Sequence, residues 1–254
     1  MRLILRMVQV LFSLYAMLVF LVFMCLMLPF VIITAVFPPT TRAGIIYFLA
    51  TLWADGAMFL WGIRHRNMYE APDNPNKPFV FVFNHISYID IPILLKSLRK
   101  HSIRVLGKAE IAAIPLFGFI YRSAAIMVKR SDAADRAKSV AVLKNTLSQN
   151  ISIVLAPEGT FNMTPHPLQP FYDGAFKIAI ETQTPIKPVL FLDAFDRLHY
   201  DSVFSFTPGK SRAVFLEEVD VSNYTLSDVA ILKQKVYGIM EQALLKYKAS
   251  WIQS

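Results

Sequence analysis

The sequence predicts a layered α/β fold preceded by an N-terminal helical hairpin embedded in a membrane. Two observations carry this prediction. After Arg64, short apolar segments alternate with helical patterns, which is typical of a sheet covered by helices. Before it, the stretch from Met7 to Thr41 holds no charged residue and is long enough to enter a bilayer. The chain is therefore predicted to divide into an anchor over residues 1–63 and a second domain over residues 64–254.

The predicted anchor begins with an apolar run that is too long for one straight crossing. As a straight helix it would measure about 50 Å, against about 30 Å for the hydrocarbon core of a bilayer. Pro29 and the pair Pro38-Pro39 predict a kink and then an end. A second apolar stretch, residues 45–61, is interrupted by Asp55, which is interpreted as an interfacial residue or as the cap of a helix break. The two stretches predict a hairpin that either crosses the membrane twice or dips into one leaflet.

The charges beside the apolar run predict its orientation. Arg2 and Arg6 precede the run, which favours an N-terminus on the cytoplasmic side. Because a hairpin returns the chain to the side it left, we expect the second domain on the cytoplasmic face of a membrane, the inner membrane if the cell is bacterial. The alternative is a signal peptide, which needs a shorter apolar region and a cleavage site. The nearest match to such a site, Thr34-Ala35-Val36, lies too far into the chain.

The segments after the anchor alternate in type. Strands are predicted over residues 79–83, 103–106, 125–128, 151–156, 186–192 and 213–216. Helices are predicted over residues 91–99, 132–148, 174–181 and 226–248. The connection over residues 160–173 is rich in Pro and Asn and is expected to form a loop near a functional site.

Composition excludes several classes of function. The net charge is +8, which suits anionic lipid headgroups; no nucleic-acid recognition motif accompanies it, so no nucleic-acid partner is predicted. The one cysteine, Cys25, lies in the apolar run and argues against a cysteine nucleophile. No Gly-x-Ser-x-Gly elbow and no metal-ligand spacing occur, so neither a serine hydrolase nor a metal site is predicted. The segment Pro208-Gly209-Lys210-Ser211 resembles the end of a phosphate-binding P-loop, but Phe204 stands where the first glycine is required.

The heptapeptide Asn84-His85-Ile86-Ser87-Tyr88-Ile89-Asp90 directly follows the predicted strand 79–83. A strand-turn-helix corner here would fold Asp90 back onto the imidazole of His85, and an imidazole held by a carboxylate is a general base with a fixed tautomer. Such a base deprotonates a hydroxyl or a water. The alternative interpretation is structural, with Asp90 as a helix cap and His85 as an ordinary histidine at a strand end.

Further polar motifs stand at other predicted strand ends. Glu158 can accept hydrogen bonds from a polyol, and Gly159 beside it lets the backbone approach a ligand closely. Lys108 and the pair Lys129-Arg130 follow two other strands and are suited to clamp a phosphate. The alternatives are an ordinary strand-loop corner for the first motif and a solvated charged rim for the cations.

In this order, the motifs resemble the four sequence blocks of the glycerolipid acyltransferase family. The first block, Asn-His-x-x-x-x-Asp, is matched at Asn84, His85 and Asp90. The second, Lys-x-Glu followed by Pro-x-x-Gly and Arg, is matched at Lys108, Glu110, Pro115, Gly118 and Arg130. The third, Phe-Pro-Glu-Gly-Thr-Arg, is matched at Pro157, Glu158, Gly159 and Thr160, and the fourth, Pro-hydrophobic-x-Pro-Val, at Pro185, Pro188 and Val189. Each block alone is weak, but four in this order and spacing are highly specific.

The resemblance implies an acyltransferase domain with a mixed sheet over residues 64–254, acting in phospholipid biosynthesis. The co-substrate would be an acyl thioester, either acyl-CoA or acyl-acyl carrier protein, and no cofactor would be needed. The acceptor would be lysophosphatidic acid, a membrane lipid, and the product phosphatidic acid. His85 would act as the base and Asp90 would orient it. Substrate binding would involve Lys108, Arg130, Glu158, Gly159, Thr160 and Pro188.

Departures from the family pattern leave the acceptor open. Ala156 replaces a phenylalanine, which is a packing change, whereas Phe161 replaces an arginine thought to hold the acceptor's phosphate. The change leaves Lys108 and Arg130 as the phosphate ligands and admits another acceptor, either a different lysophospholipid or a lyso-aminolipid. The third block followed by Asn162-Met163 is also similar to the one in tafazzin-like transacylases. The remaining alternatives are a hydrolase that releases fatty acid and a catalytically dead membrane lipid-binding protein.

Overall fold

The computed structural model describes residues 2–114, 117–129 and 132–252. The helices in this part of the chain are α1 Arg2–Ile33, α2 Pro39–Leu60, α3 Asp90–Ser97, α4 Phe117–Ala124, α5 Ala133–Ser148, α6 Gly174–Thr182, α7 Ala194–Arg197 and α8 Val229–Lys246. The strands are β1 Ile63–Tyr69, β2 Val80–Phe83, β3 Ile103–Lys108, β4 Ala125–Val128, β5 Ser152–Leu155, β6 Ile186–Phe191 and β7 Gly209–Phe215. Short 3₁₀ helices lie at Thr34–Val36, Ala109–Ala113 and Leu226–Asp228.

The strands form one sheet in the order β1-β7-β6-β2-β5-β3-β4. Neighbouring strands are parallel, except that β6 and β7 are antiparallel. The prediction of a layered α/β fold with a mixed sheet is therefore confirmed. Since β2, β5, β3 and β4 are parallel neighbours, their carboxyl ends lie along one edge of the sheet, and the loops that follow them share that edge.

The central strands are buried on both faces. Every residue of β2, β5 and β6 is buried, and these strands are the continuous apolar runs of the sequence. Fully buried aromatic side chains of the core include Phe79, Phe81, Phe176, Phe191 and Phe215. The edge strand β1 differs, because Ile63 is its one buried residue and the rest of the strand is half-buried or exposed.

The two N-terminal helices form the predicted hairpin. At the end of α2, opposite the middle of α1, the indole Nε1 of Trp61 donates to the carbonyl of Ala16 at 3.1 Å, and the Tyr15 hydroxyl donates to the carbonyl of Leu60 at 3.1 Å. The segments Leu3–Val36 and Thr41–Leu60 are long and apolar enough to cross a membrane. Most of the large apolar side chains of α1 are exposed, which is consistent with contact with lipid.

The hairpin also packs on the second part of the chain. Ala54, Ala57 and Met58 on one side of α2 are fully buried in the same core as the sheet residues. Asp55, predicted to be interfacial or a cap, forms ion pairs with Lys96 of α3 at 3.0 Å and with Arg99 just after it at 2.9 Å. The predicted division at residue 63 falls at the junction of α2 and β1, and the separateness of the two domains stays a prediction.

Several elements were not predicted. β1 has the polar sequence IRHRNMY, and an edge strand with one neighbour needs no apolar run. The short helices α4 and α7 were also missed, and β7 begins at Gly209 rather than at residue 213. The other predicted strands and helices are present with ends shifted by a few residues, because hydrogen bonding rather than hydrophobicity decides where an element stops.

Candidate active site

The predicted site residues His85 and Glu158 lie at the carboxyl edge of the sheet. β2 ends at Phe83, two residues before His85, and the adjacent parallel strand β5 ends at Leu155, three residues before Glu158. The two loops therefore leave the sheet side by side, and a hydrogen bond from the backbone N–H of Asn162 to the carbonyl of His85 joins them at 2.7 Å.

Asp90 holds the imidazole of His85. The carboxylate is buried, 1% exposed, and its Oδ2 lies 2.8 Å from His85 Nδ1. The same oxygen accepts the backbone N–H groups of Ile86 at 2.9 Å and Ser87 at 3.0 Å. Asp90 is the first residue of α3, and these bonds run back to the turn before it. The side chain thus orients the imidazole and closes the turn, which differs from the alternative of a simple helix cap.

The hydrogen bond to Asp90 fixes the tautomer of His85. A carboxylate only accepts, so Nδ1 carries the proton and Nε2 has its lone pair free. The His85 side chain is 26% exposed, and Nε2 has no hydrogen-bond partner among residues 2–114, 117–129 and 132–252. Nε2 is therefore the atom of this pair that can take a proton from a bound molecule.

Glu158 stabilises the backbone of the loop that carries His85. Its side chain is buried, 1% exposed; Oε1 accepts the backbone N–H of His85 at 2.9 Å and Oε2 accepts that of Gln169 at 2.8 Å. Burial raises the pKa of Glu158 to about 8; the two backbone hydrogen bonds oppose the rise and the charge of Asp90 adds to it. Both oxygens are engaged with the protein, so this geometry favours a positioning role over the predicted contact with a substrate.

An aromatic wall borders the imidazole. The ring of Phe161 meets that of His85 edge to face with centroids 4.4 Å apart, and Tyr88 meets Phe161 in the same manner at 4.8 Å. Phe83 lies against His85 from the strand side at 5.6 Å. Phe161 occupies the position of the arginine in the family pattern, so an apolar ring stands where the sequence comparison placed a phosphate ligand.

The other predicted residues are dispersed. Lys108 is exposed at the carboxyl end of β3, two strand spacings or about 10 Å from β2. Gly159 adopts φ +72°, which glycine adopts readily, and Thr160 is exposed beside it. Pro188 is buried inside β6 beside Val82, and the structure does not bring it to His85. Arg130 and Pro115 lie outside the described residues, so the predicted role of Arg130 stays a prediction.

The roles of Asn84 and Gln169, which support the site, were not predicted from the sequence. The side chain of Asn84 pairs with the backbone of Phe191, accepting its N–H at 2.8 Å and donating to its carbonyl at 3.2 Å. This contact ties the end of β2 to β6. Gln169 contributes its backbone N–H to Glu158, and a backbone contact cannot be predicted from the type of residue. Within the described part of the chain, no cluster of three His, Cys, Asp or Glu is suited to hold a metal ion.

Comparison with known proteins decides the family. The family model described as Acyltransferase matches residues 63–192, a range that holds the His85–Asp90 pair and Glu158. The chain belongs to the acyltransferase family. The predicted membership and the predicted enzyme class, an O-acyltransferase, are confirmed by this match and by the relatives below.

Several curated relatives of this acyltransferase are named 1-acyl-sn-glycerol-3-phosphate acyltransferase. A 1-acyl-sn-glycerol-3-phosphate acyltransferase of Cocos nucifera is 30% identical over 137 residues, which are 53% of this chain and 44% of that protein. The beta enzyme of that name from Homo sapiens is 26% identical over 74% of this chain and 67% of its own length. The enzyme of Haemophilus influenzae is 25% identical over 76% of this chain and 79% of its own length. The chain thus spans less than half the length of the coconut protein.

A solved structure supports the fold of the acyltransferase. The 1-acyl-sn-glycerophosphate acyltransferase PlsC of Thermotoga maritima superposes with a TM-score of 0.75 over 100% of both chains. Its sequence identity is 21%, so the likeness is one of fold. The match includes the N-terminal hairpin as well as the sheet.

Proposed function

We propose that this acyltransferase transfers a fatty acyl group from an acyl thioester to the free sn-2 hydroxyl of lysophosphatidic acid, which gives phosphatidic acid. The observation that carries the proposal is the His85–Asp90 pair, with Nδ1 held at 2.8 Å and Nε2 left for a substrate hydroxyl. The names of the relatives from coconut, human and Haemophilus supply the acceptor. The donor is an acyl-CoA or an acyl-acyl carrier protein.

The proposed reaction is a direct transfer. His85 Nε2 takes the proton of the acceptor hydroxyl as its oxygen bonds to the thioester carbonyl carbon. The carbon–sulfur bond then breaks, and the departing thiolate receives the proton from the imidazolium. Asp90 lies against Nδ1 and stabilises the imidazolium between these two steps. The scheme uses no acyl-enzyme and calls for no cofactor.

The proposed site would bind the phosphate of the acceptor away from the imidazole. Within the described part of the chain, the rings of Phe83 and Phe161 contact the imidazole of His85 and Tyr88 packs on Phe161, so this aromatic wall offers no cation to a phosphate beside the imidazole. Lys108 is exposed at the carboxyl end of β3, about 10 Å from β2 along the same edge, and its long side chain can extend toward the headgroup phosphate of a lysolipid whose hydroxyl lies at His85.

The hairpin gives this enzyme access to its lipid acceptor. Contacts between α2 and the catalytic domain run along the whole helix, from Arg42 Nη2 with Ser123 Oγ at 2.8 Å to the Asp55–Arg99 ion pair. If a helix in contact with a polar domain along its whole length crossed the bilayer, the polar surface of that domain would also be buried in the hydrocarbon core. We therefore place residues 1–63 in one leaflet as an anchor, with the catalytic domain, residues 64–254, on the cytoplasmic face.

The proposal is tested with the full chain purified in detergent. Labelled acyl-CoA, and then labelled acyl-acyl carrier protein, is offered with lysophosphatidic acid, and the lipid products are separated. We expect phosphatidic acid with at least one donor. Free fatty acid as the main product would replace the proposal by a hydrolase, and binding of lysolipid with no turnover would replace it by a lipid-binding protein.

A second acceptor class is favoured by Phe161, the apolar ring in contact with His85. The same assay with other lysophospholipids and with a lyso-aminolipid tests it, and a higher kcat/KM for one of these than for lysophosphatidic acid would change the proposed acceptor. A diacyl phospholipid offered as donor tests the transacylase alternative.

A further inference from the structure

A groove lies at the start of α1, apart from the residues of the His85 site. Its volume is about 640 Å³, and its lining includes Leu5, Arg6, Val8, Phe12, Phe206 and Pro208. We propose that this groove binds one anionic phospholipid of the surrounding bilayer, with an acyl chain against its aromatic floor and the headgroup phosphate at the cations on its rim. The site would be distinct from the one that holds the acceptor and the acyl donor.

The groove is a fixed feature of the fold. Its two walls, the first turns of α1 and the segment before β7, are joined by a hydrogen bond from Gln9 Nε2 to the carbonyl of Ser205 at 3.0 Å. The backbone N–H of Phe206 donates to Ser13 Oγ at 3.1 Å, and the rings of Phe12 and Phe206 pack with centroids 6.0 Å apart. Polar bonds thus hold an apolar floor in place, as a chain-binding groove requires.

Cations gather at the rim. Arg6 lines the groove itself. Pro208 leads within two residues to Lys210, which is 65% exposed and whose Nζ lies 3.9 Å from Asp193 Oδ1. Lys210 lies beside Arg64 in the register of β7 and β1, so the two side chains stand on the same face of the sheet. Arg64 and Arg6 are exposed, and among the described residues no carboxylate lies within 4.0 Å of either one. The guanidinium groups of Arg64 and Arg6 are therefore available to a phosphate, and Lys210 adds a third charge that it shares with Asp193.

The groove opens beside surface that faces lipid. Leu5 and Val8 of the groove lining and the nearby Leu11 of α1 are 57–64% exposed, and they continue the apolar surface of the hairpin. On the other wall, Val203 and Phe204 are also exposed. A bilayer lipid supplies both an apolar chain and a phosphate at this depth, so its chemistry fits the groove better than that of a soluble anion.

The test uses lipids with brominated acyl chains, which quench nearby tryptophan fluorescence. Trp61 packs on Phe206 at 5.0 Å and reports on the groove. The full chain in detergent micelles is titrated with brominated phosphatidylglycerol and with brominated phosphatidylcholine. We expect tighter quenching by phosphatidylglycerol, which weakens as salt is raised. Equal quenching by both lipids at low salt would overturn the proposal.

Charge variants provide the second measurement. The double variant Arg64→Gln/Lys210→Gln should bind phosphatidylglycerol about 10- to 30-fold more weakly and phosphatidylcholine unchanged. The matched double variant Lys177→Gln/Lys235→Gln, on α6 and α8, should bind both lipids like wild type. Unaltered phosphatidylglycerol binding in the first variant, with an unchanged melting temperature, would contradict the proposal.

A third variant separates this groove from the catalytic site. His85→Ala should keep the preference for phosphatidylglycerol, since His85 is not part of the groove. Loss of the preference in His85→Ala would place the lipid in the active site and overturn the proposal. Because quenching requires no turnover, this result is independent of whether the proposed acyl transfer is correct.

Discussion

The carboxylate of Glu158 accepts a hydrogen bond from the backbone N–H of His85 at 2.9 Å. Its other oxygen accepts the N–H of Gln169, so one buried side chain links the strand end that carries the base to the loop that covers it. The position of His85 thus depends on a carboxyl group whose pKa burial raises to about 8. The protonation of Glu158 is therefore coupled to the folding of the site.

Glu158 gives the stability of the protein a dependence on pH. Its pKa rises from 4.5 to about 8 on folding, so the folded state binds more protons between these values. The free energy of unfolding should then fall as pH rises from about 5 to about 8, with a slope of up to about 1.4 kcal/mol per pH unit, and level off above. Chemical denaturation at a series of pH values measures this slope.

Glu158→Gln should remove that slope. An amide has one acceptor oxygen, so one of the two backbone N–H groups loses its partner, and we expect a loss of about 1–3 kcal/mol at pH 5. The difference from wild type should shrink toward pH 8. A variant that keeps the wild-type slope would show that another group is responsible.

Asp90→Asn should abolish most of the activity. The amide oxygen can still accept hydrogen bonds from the turn. It carries no negative charge, however, so it no longer fixes the Nδ1–H tautomer of His85 or stabilises the imidazolium. We expect kcat to fall roughly 10²- to 10⁴-fold. The control is Asp228→Asn, which alters the capping aspartate before α8, whose Oδ2 accepts the N–H of Thr225 at 2.8 Å. Asp90→Asn with lower stability and an unchanged rate would restore the helix-cap interpretation.

Phe161 is expected to keep water from the thioester. The centroid of its ring lies 4.4 Å from that of the His85 imidazole, and Tyr88 packs on the ring. Truncation of Phe161 therefore opens a path for water to His85. Phe161→Ala should raise the ratio of free fatty acid to acylated lipid several-fold, whereas Phe161→Leu should keep it near wild type. Product analysis with labelled acyl thioester measures the ratio. An unchanged ratio in Phe161→Ala would mean that the ring does not select the lipid hydroxyl over water.

The one-leaflet arrangement of the hairpin can be tested with single cysteines. In a Cys25→Ser background, Val36→Cys marks the hairpin turn and Ser222→Cys marks the catalytic domain. In sealed vesicles, an impermeant thiol reagent should label Ser222→Cys from the domain side, and it should not label Val36→Cys from the opposite side. Labelling of Val36→Cys from the opposite side alone would establish a spanning hairpin.

The sequence predicted the elements whose signal is hydrophobic. The buried strands β2, β5 and β6 appear as apolar runs, and the α1–α2 hairpin as a charge-free stretch broken by proline. The polar edge strand β1 was missed because its partner residues in β7 lie 146 positions further along the chain, as in the pair Ile63 and Gly209, and such a pairing leaves no local pattern.

The sequence predicted those site residues whose role follows from the chemistry of their side chains. His85 and Asp90 stand in a short turn, so their spacing alone suggested their contact. Glu158 was singled out, but its role was not, since both of its partners are backbone N–H groups. A residue that binds substrate and one that positions the backbone have the same sequence signature; the hydrogen bonds of both carboxylate oxygens to backbone N–H groups distinguish them here.

The central claim is that His85 takes the proton of the acceptor hydroxyl. The most direct measurement is the rate of acyl transfer to lysolipid by His85→Ala, with and without added imidazole. The melting temperatures of the variant and of wild type are compared alongside, so that a loss of folding is not counted as a loss of rate. The account predicts a loss of roughly 10²- to 10⁴-fold that imidazole partly restores, because the small base can occupy the vacated space beside Asp90. Turnover by His85→Ala equal to that of wild type would contradict it.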